Sequence, residues 1–269
     1  PRAAVAQQAS TRPAANLQPT TLQPATENAR PTLEPVPEWG KRLVLSINDV
    51  WTEGSLQRRT HRLSELVEAT PGHLAYTTRV FQQKDPLACG QVIYVLKEYF
   101  STVRRVNWQP DDLPTLQRVV ASWSVVAPQL IQMIALPELT AQQRRTLEQA
   151  LVDLALITRD ASIGSPLARE IWQKETATLA ALTQHPKLSV KLSVLGILEA
   201  LGPDAQAAAP AIRQALHDQD RFVRWTAVRT LKAIGLDTAS SQALAKLQHD
   251  EDYEVRSAVL LALNAPASS

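Results

Sequence analysis

The last third of the chain repeats itself at an interval of 32 residues. Three segments align, HPKLSVKLSVLGILEALG, HDQDRFVRWTAVRTLKAIG and HDEDYEVRSAVLLALNAPA, which begin at His185, His217 and His249. Val223-Arg224 recurs as Val255-Arg256 at the same interval. A period of this length with two helices in each unit predicts an α-solenoid, because such a unit can bury its apolar faces only against its neighbours.

Glycines divide each unit into two predicted helices. Gly202 and Gly235 each stand 12 residues after a valine of the repeat, where the C-cap of a helix is expected. A second, shorter helix is then predicted over residues 205–216 and 239–247. The third segment ends before any second helix, so we expect two full units and one half unit between residues 185 and 264.

The pattern D-x-x-V-R-x-x-A-x-x-x-L-x-x-I-G runs from Asp220 to Gly235 and recurs in part from Asp252. It resembles the short HEAT-like repeats that occur in the bilin-lyase group and in many bacterial scaffold proteins. Asp220 and Asp252 fit the helix N-cap position on their own sequence context. The resemblance further implies an armadillo-like solenoid in which Asp220, Arg224, Asp252 and Arg256 form a ladder between repeats. The alternative for the two arginines is an anion-binding site.

Upstream of the repeats, the sequence predicts helical hairpins of irregular length. Only eight glycines in 269 residues, with abundant Leu, Ala and Gln, favour an all-α fold. Residues 39–184 are therefore interpreted as a divergent helical region. Its predicted boundaries are a turn at Pro71-Gly72, an N-cap at Asp85, an interruption at Pro128 and a capping box that begins at Thr140.

The ends of the chain are predicted to lack a fold. Residues 1–38 are rich in Ala, Pro, Thr and Gln and have no apolar periodicity, which indicates a disordered tail or tether. Residues 265–269 form a short C-terminal tail. Ala4-Val5-Ala6 resembles a signal-peptide cleavage site. Export or membrane tethering through an upstream anchor and a cytoplasmic location both remain open.

Several kinds of chemistry find no support in the sequence. The 28 basic and 26 acidic side chains are balanced in every region, which disfavours nucleic acid as a partner. Successive repeats lie about 10 Å apart, so the three register histidines cannot share a metal ion. Cys89 is the only cysteine and is interpreted as a buried thiol. Since no catalytic motif or cofactor site is recognised, we expect neither an enzyme nor a bound cofactor.

The function expected from these features is a non-catalytic scaffold or accessory subunit that binds another protein. By resemblance, the second helix of each unit lines the concave face, which makes Arg213, Gln214 and Lys246 candidate partner-binding residues. Trp225 is a fourth candidate, because Leu192 and Ser257 stand at its equivalent positions and such variation is typical of a surface. The alternatives are a bilin-lyase-like subunit that binds an open-chain tetrapyrrole, and a tethered subunit of a membrane-associated complex.

Overall fold

A computed structural model describes residues 33–264, and the two predicted tails fall largely outside this range. Within it the fold is all-α, and the sequence-based fold class is confirmed. The helices are Val36–Thr52 (α1), Leu56–Gln83 (α2), Pro86–Arg105 (α3), Leu113–Ser124 (α4), Ala127–Ile134 (α5), Ala141–Arg159 (α6), Pro166–Leu182 (α7), Leu188–Leu201 (α8), Ala209–Ala215 (α9), Arg221–Ile234 (α10), Thr238–Lys246 (α11) and Tyr253–Leu263 (α12).

The helices are arranged in two layers. The first layer contains α1, α3, α6, α8, α10 and α12, and each of these helices packs against the next. The second layer contains α2, α4, α7, α9 and α11, while α5 contacts both α6 and α7. Across the repeats the chain therefore alternates between layers, with α7–α8, α9–α10 and α11–α12 as successive antiparallel pairs.

The recurring apolar residues of the repeats form the interface between the layers. Val223, Ala227 and Leu231 lie one turn apart along α10 and are completely buried. Val255 and Val259 occupy the same positions in α12 and are equally buried. The spacing that identified the repeat is thus the spacing of the side chains that hold the two layers together.

One predicted boundary is wrong: α2 continues without a turn through Pro71-Gly72. A proline inside a helix costs about 3 kcal/mol, because it removes one backbone hydrogen bond and crowds the preceding turn. The buried stripe of α2 nevertheless extends across the proline, from Leu63 and Leu66 to Thr77 and Val80. Burial along both halves of the helix outweighs the local preference for a break.

Other helix boundaries agree with the sequence. The Asp85 side chain accepts hydrogen bonds from the first-turn amides of α3, and Thr140 and Gln143 form the capping box of α6. The break near Pro128 lies between Ser124 and Ala127, and the proline occupies the first turn of α5. The first helix begins at Val36, three residues before the predicted start of order at residue 39.

A candidate partner-binding face on the repeat helices

Asp220 and Asp252 begin two first-layer helices. The carboxylate of Asp220 accepts hydrogen bonds from the amides of Phe222 at 2.8 Å and Val223 at 3.4 Å. The carboxylate of Asp252 accepts the equivalent bonds from Glu254 at 2.9 Å and Val255 at 3.2 Å. Both residues therefore cap the orphan amides at the start of their helices, as their sequence context predicted.

Arg224 connects one repeat to the next. Its guanidinium donates to both carboxylate oxygens of Asp250, each at 2.9 Å, and to Glu251 at 3.1 Å. It also donates to the carbonyl oxygens of Asp218 at 3.0 Å and Gln219 at 3.1 Å, in the loop before its own helix. All of its bonding capacity is thus directed at protein groups, which leaves little for an external anion.

Arg256 makes only the local half of this arrangement. It donates to the carbonyl oxygens of Asp250 at 2.6 Å and Glu251 at 3.0 Å, in the loop before α12. No helix follows α12 within residues 33–264, so the described part of the chain offers no acidic partner from a further repeat.

The acids that pair between repeats are Asp218 and Asp250, which the sequence analysis did not single out. Lys191 on α8 pairs with Asp218, as Arg224 on α10 pairs with Asp250. Burial acts to raise the pKa of both carboxyls, but hydrogen bonds from these basic side chains and from backbone amides outweigh it and lower the pKa. Their 32-residue separation was the available sequence signal.

The expected concave-face residues lie on the second layer. Arg213 on α9 donates to Asp237 and to the Ser240 hydroxyl, both at 3.2 Å, so its guanidinium already links two repeats. Gln214 on α9 and Lys246 on α11 are exposed.

The open depressions of the repeat region lie instead on the first layer. One, of about 600 Å³, extends across α6, α8 and α10, and the other, of about 660 Å³, extends across α8, α10 and α12. The two adjoin, since Glu199, Trp225 and Arg229 line both. We call them together the first-layer groove, defined by Glu148, Leu192, Glu199, Trp225, Arg229 and Leu261.

Trp225 lies where the two depressions meet. Its side chain is half-buried, and the guanidinium of Arg229 lies 4.6 Å from the centre of its ring. Arg229 also pairs with Glu199 on α8, which fixes the cation against the aromatic face. Leu192 and Ser257, the equivalents of Trp225 in the neighbouring repeats, line the same groove.

Glu148 occupies the α6 end of the groove. Its carboxylate accepts a hydrogen bond from the Ser193 hydroxyl at 2.7 Å. Burial raises the pKa of this carboxyl, while the Ser193 bond and the charge of Arg145 oppose the shift. Among the described residues no basic side chain lies within 4.0 Å of the carboxylate. Glu148 precedes the repeats in sequence, so the repeat pattern could not identify it.

The remaining singled-out residues have structural surroundings. Cys89 is buried beside the carbonyl oxygen of Val80, and burial raises the pKa of its thiol. His185, His217 and His249 each follow the end of a second-layer helix, at the boundary between repeats. Within residues 33–264, no cluster of three or more potential metal ligands is present, and no helix is long and apolar enough to cross a membrane.

The two-layer stack and its paired acids and bases define the class of this protein as an α-solenoid with HEAT-like repeats. The family described as HEAT repeats matches residues 176–264, which confirms the resemblance drawn from the sequence. The match begins inside α7 rather than at His185. Read from there, α7–α8, α9–α10 and α11–α12 are three pairs in which the first-layer helix comes second.

Two solved structures are similar in fold. One is a crystal structure of computationally designed armadillo repeat proteins for modular peptide recognition, with a TM-score of 0.50 at 15% identity over 82% of this chain and 97% of that chain. The other is an engineered protein, with a TM-score of 0.40 at 14% identity over 86% of this chain and 67% of that chain. No curated protein matches the sequence.

Proposed function

We propose that this protein is a non-catalytic interaction scaffold that binds a partner polypeptide in the first-layer groove. The observation that carries the proposal is the groove itself, which crosses four successive helices and has the half-exposed Trp225 at its centre. Tryptophan contributes a large contact area at low entropic cost, and it is enriched among the residues that dominate binding energy.

The choice of layer follows from how the helices pair. The expectation for Arg213, Gln214 and Lys246 assumed that each unit begins with the helix that contains Val-Arg, so that α9 and α11 came second. When units begin at the preceding helix, the second helices are α8, α10 and α12. The same rule then assigns partner binding to the layer that contains the groove.

The similarity to designed armadillo repeat proteins supports the class of partner. Those proteins were made for modular peptide recognition. The groove described here has corresponding side chains from successive repeats along its length, so an extended polypeptide could contact one helix after another.

Affinity purification from the native source tests the proposal. The Trp225→Ala variant is expected to lose the co-purifying partner, while its thermal melting stays within a few degrees of wild type because the side chain is only half-buried. A double variant of the second layer, Gln214→Ala with Lys246→Ala, is the matched control and should retain the partner. Retention by Trp225→Ala together with loss by the double variant would reverse the assignment of the layers.

The two alternative functions have separate readouts. A bilin-lyase-like subunit would change the visible absorbance of an added open-chain tetrapyrrole, and the scaffold proposal expects no change. A tethered subunit of a membrane-associated complex would co-purify with membrane proteins through the same groove.

A further inference from the structure

Glu148 is the one acid of the first-layer groove whose pairing is incomplete. Glu199 already pairs with Arg229, but Glu148 has only the neutral hydroxyl of Ser193 within hydrogen-bonding distance. An ionised carboxylate that is partly removed from water is costly unless a cation neutralises it. Such a carboxylate in a binding groove is therefore a ready acceptor for a cationic side chain.

The surroundings of Glu148 leave room for that cation. Gly196 faces it from α8, and a Cβ atom added at this glycine would lie 3.1 Å from the Glu148 carboxylate. Any larger residue at position 196 would therefore cover the carboxylate from this side. Apolar side chains from the same two helices, Val152, Leu156 and Leu192, also line this part of the groove.

Resting on the proposed function, we infer that the occupant of the groove is an extended segment with a Lys or Arg side chain that pairs with Glu148 and an apolar side chain that packs on Trp225. The apolar lining at both ends accommodates the stem of the basic residue as well as the apolar anchor. Nucleic acid is disfavoured as the occupant, since Glu148, Glu199 and Glu254 would face its phosphates.

The helix spacing sets the separation of the two anchors. Glu148 is on α6 and Trp225 on α10, which are two helix positions apart in the first layer. Packed helices lie about 10 Å apart, so the anchors are separated by about 20 Å. An extended chain advances about 3.3 Å per residue, which places the basic and apolar residues about six positions apart.

Selection from a display library of random twelve-residue peptides on the full-length protein tests this inference. Among peptides that bind wild type and fail to bind Trp225→Ala, we expect Lys and Arg to be enriched about threefold over the unselected library, about six positions from an apolar residue. The enrichment should disappear in a selection on Glu148→Gln. Glu68→Gln removes an exposed carboxylate from α2 in the second layer and should select the same peptides as wild type.

A double-mutant cycle with one selected peptide measures the pairing directly. Fluorescence anisotropy should show about tenfold weaker binding of the peptide to Glu148→Gln, since a charge-assisted hydrogen bond is lost. Replacing the peptide's basic residue with glutamine should weaken binding to wild type by the same factor and should cause little further loss on Glu148→Gln.

The outcomes separate this inference from the proposed function. If no selected peptide depends on Trp225, the groove does not bind polypeptide and both proposals fail. If peptides depend on Trp225 but Lys and Arg are equally frequent on wild type and Glu148→Gln, or the two losses in the cycle are additive, only the pairing with Glu148 is refuted.

Discussion

Replacing Arg224 with alanine should destabilise the last repeats by about 3–5 kcal/mol, the usual loss when one member of a buried ion pair is removed. The Arg224 and Asp250 side chains are each only 8% exposed, and the two bonds between them are both 2.9 Å long. The substitution would leave the Asp250 carboxylate with the Asp252 amide as a remaining donor. The carbonyl oxygens of Asp218 and Gln219 would also lose a donor.

The effect should be local, because each repeat contacts only its neighbours and long repeat arrays can lose their cooperativity. Hydrogen exchange is therefore the primary assay, with the free energy of opening compared for amides in α12 and in α3. Urea denaturation followed by circular dichroism gives the global value. Lys174→Ala is the control: it breaks an exposed pair with Glu170 one turn away, which is worth about 0.3–0.5 kcal/mol.

The pH dependence gives this prediction a second test. Because Arg224 helps hold the pKa of folded Asp250 below its ordinary value of 3.8, the pairing stabilises the fold above that pH. The stabilisation is lost as the pH falls through the lowered folded-state pKa. The difference between wild type and Arg224→Ala should be complete at neutral pH and should shrink in acid. A difference below about 1 kcal/mol at pH 7, no larger than that of Lys174→Ala, would refute the assigned role of the bridge.

Three further perturbations have expected outcomes that denaturation can measure. Gly202→Ala should cost about 1–3 kcal/mol, because φ is +54° and the new Cβ would lie 2.5 Å from the Arg159 guanidinium, whereas Gly54→Ala has open space and should change little. Asp220→Ala should cost about 1 kcal/mol through loss of the N-cap, and Asp220→Asn should restore most of it. Glu148→Gln should be more stable than wild type at pH 7 and equal to it below pH 4.5, since the raised folded-state pKa of Glu148 makes its ionisation unfavourable to folding; equal stability at both pH values would contradict this.

The sequence predicted the repeats well because their pattern and their packing have the same cause. Val223, Ala227 and Leu231 recur because they are the buried residues, so reading the pattern amounts to reading the core. The helix caps were accessible for the same reason, since a side chain such as Asp220 bonds to amides only two and three residues away.

What the sequence did not predict depends on contacts between distant residues. Pro71 stands within α2 because side chains on both sides of it are buried by other helices, which a local rule about proline cannot include. The pairing of Lys191 with Asp218 joins residues 27 positions apart, and neither belongs to the Val-Arg text in strict register. Glu148 lies 37 residues before the first repeat histidine and enters the groove only because α6 packs on α8.

The choice of where a repeat begins had the largest consequence for function. A periodic sequence can be divided at any point without changing the helices it predicts, but the division decides which helix is counted as second. Starting at His185 assigned recognition to α9 and α11, where Arg213 already pairs within the stack. Starting inside α7 assigns it to α8, α10 and α12, where Leu192, Trp225 and Ser257 occupy one equivalent position along the groove. The buried positions of these helices keep Val, Ala and Leu, while this exposed position changes at every repeat. That contrast separates the residues that build the stack from those available to select a partner, and it makes Trp225 the first residue to test.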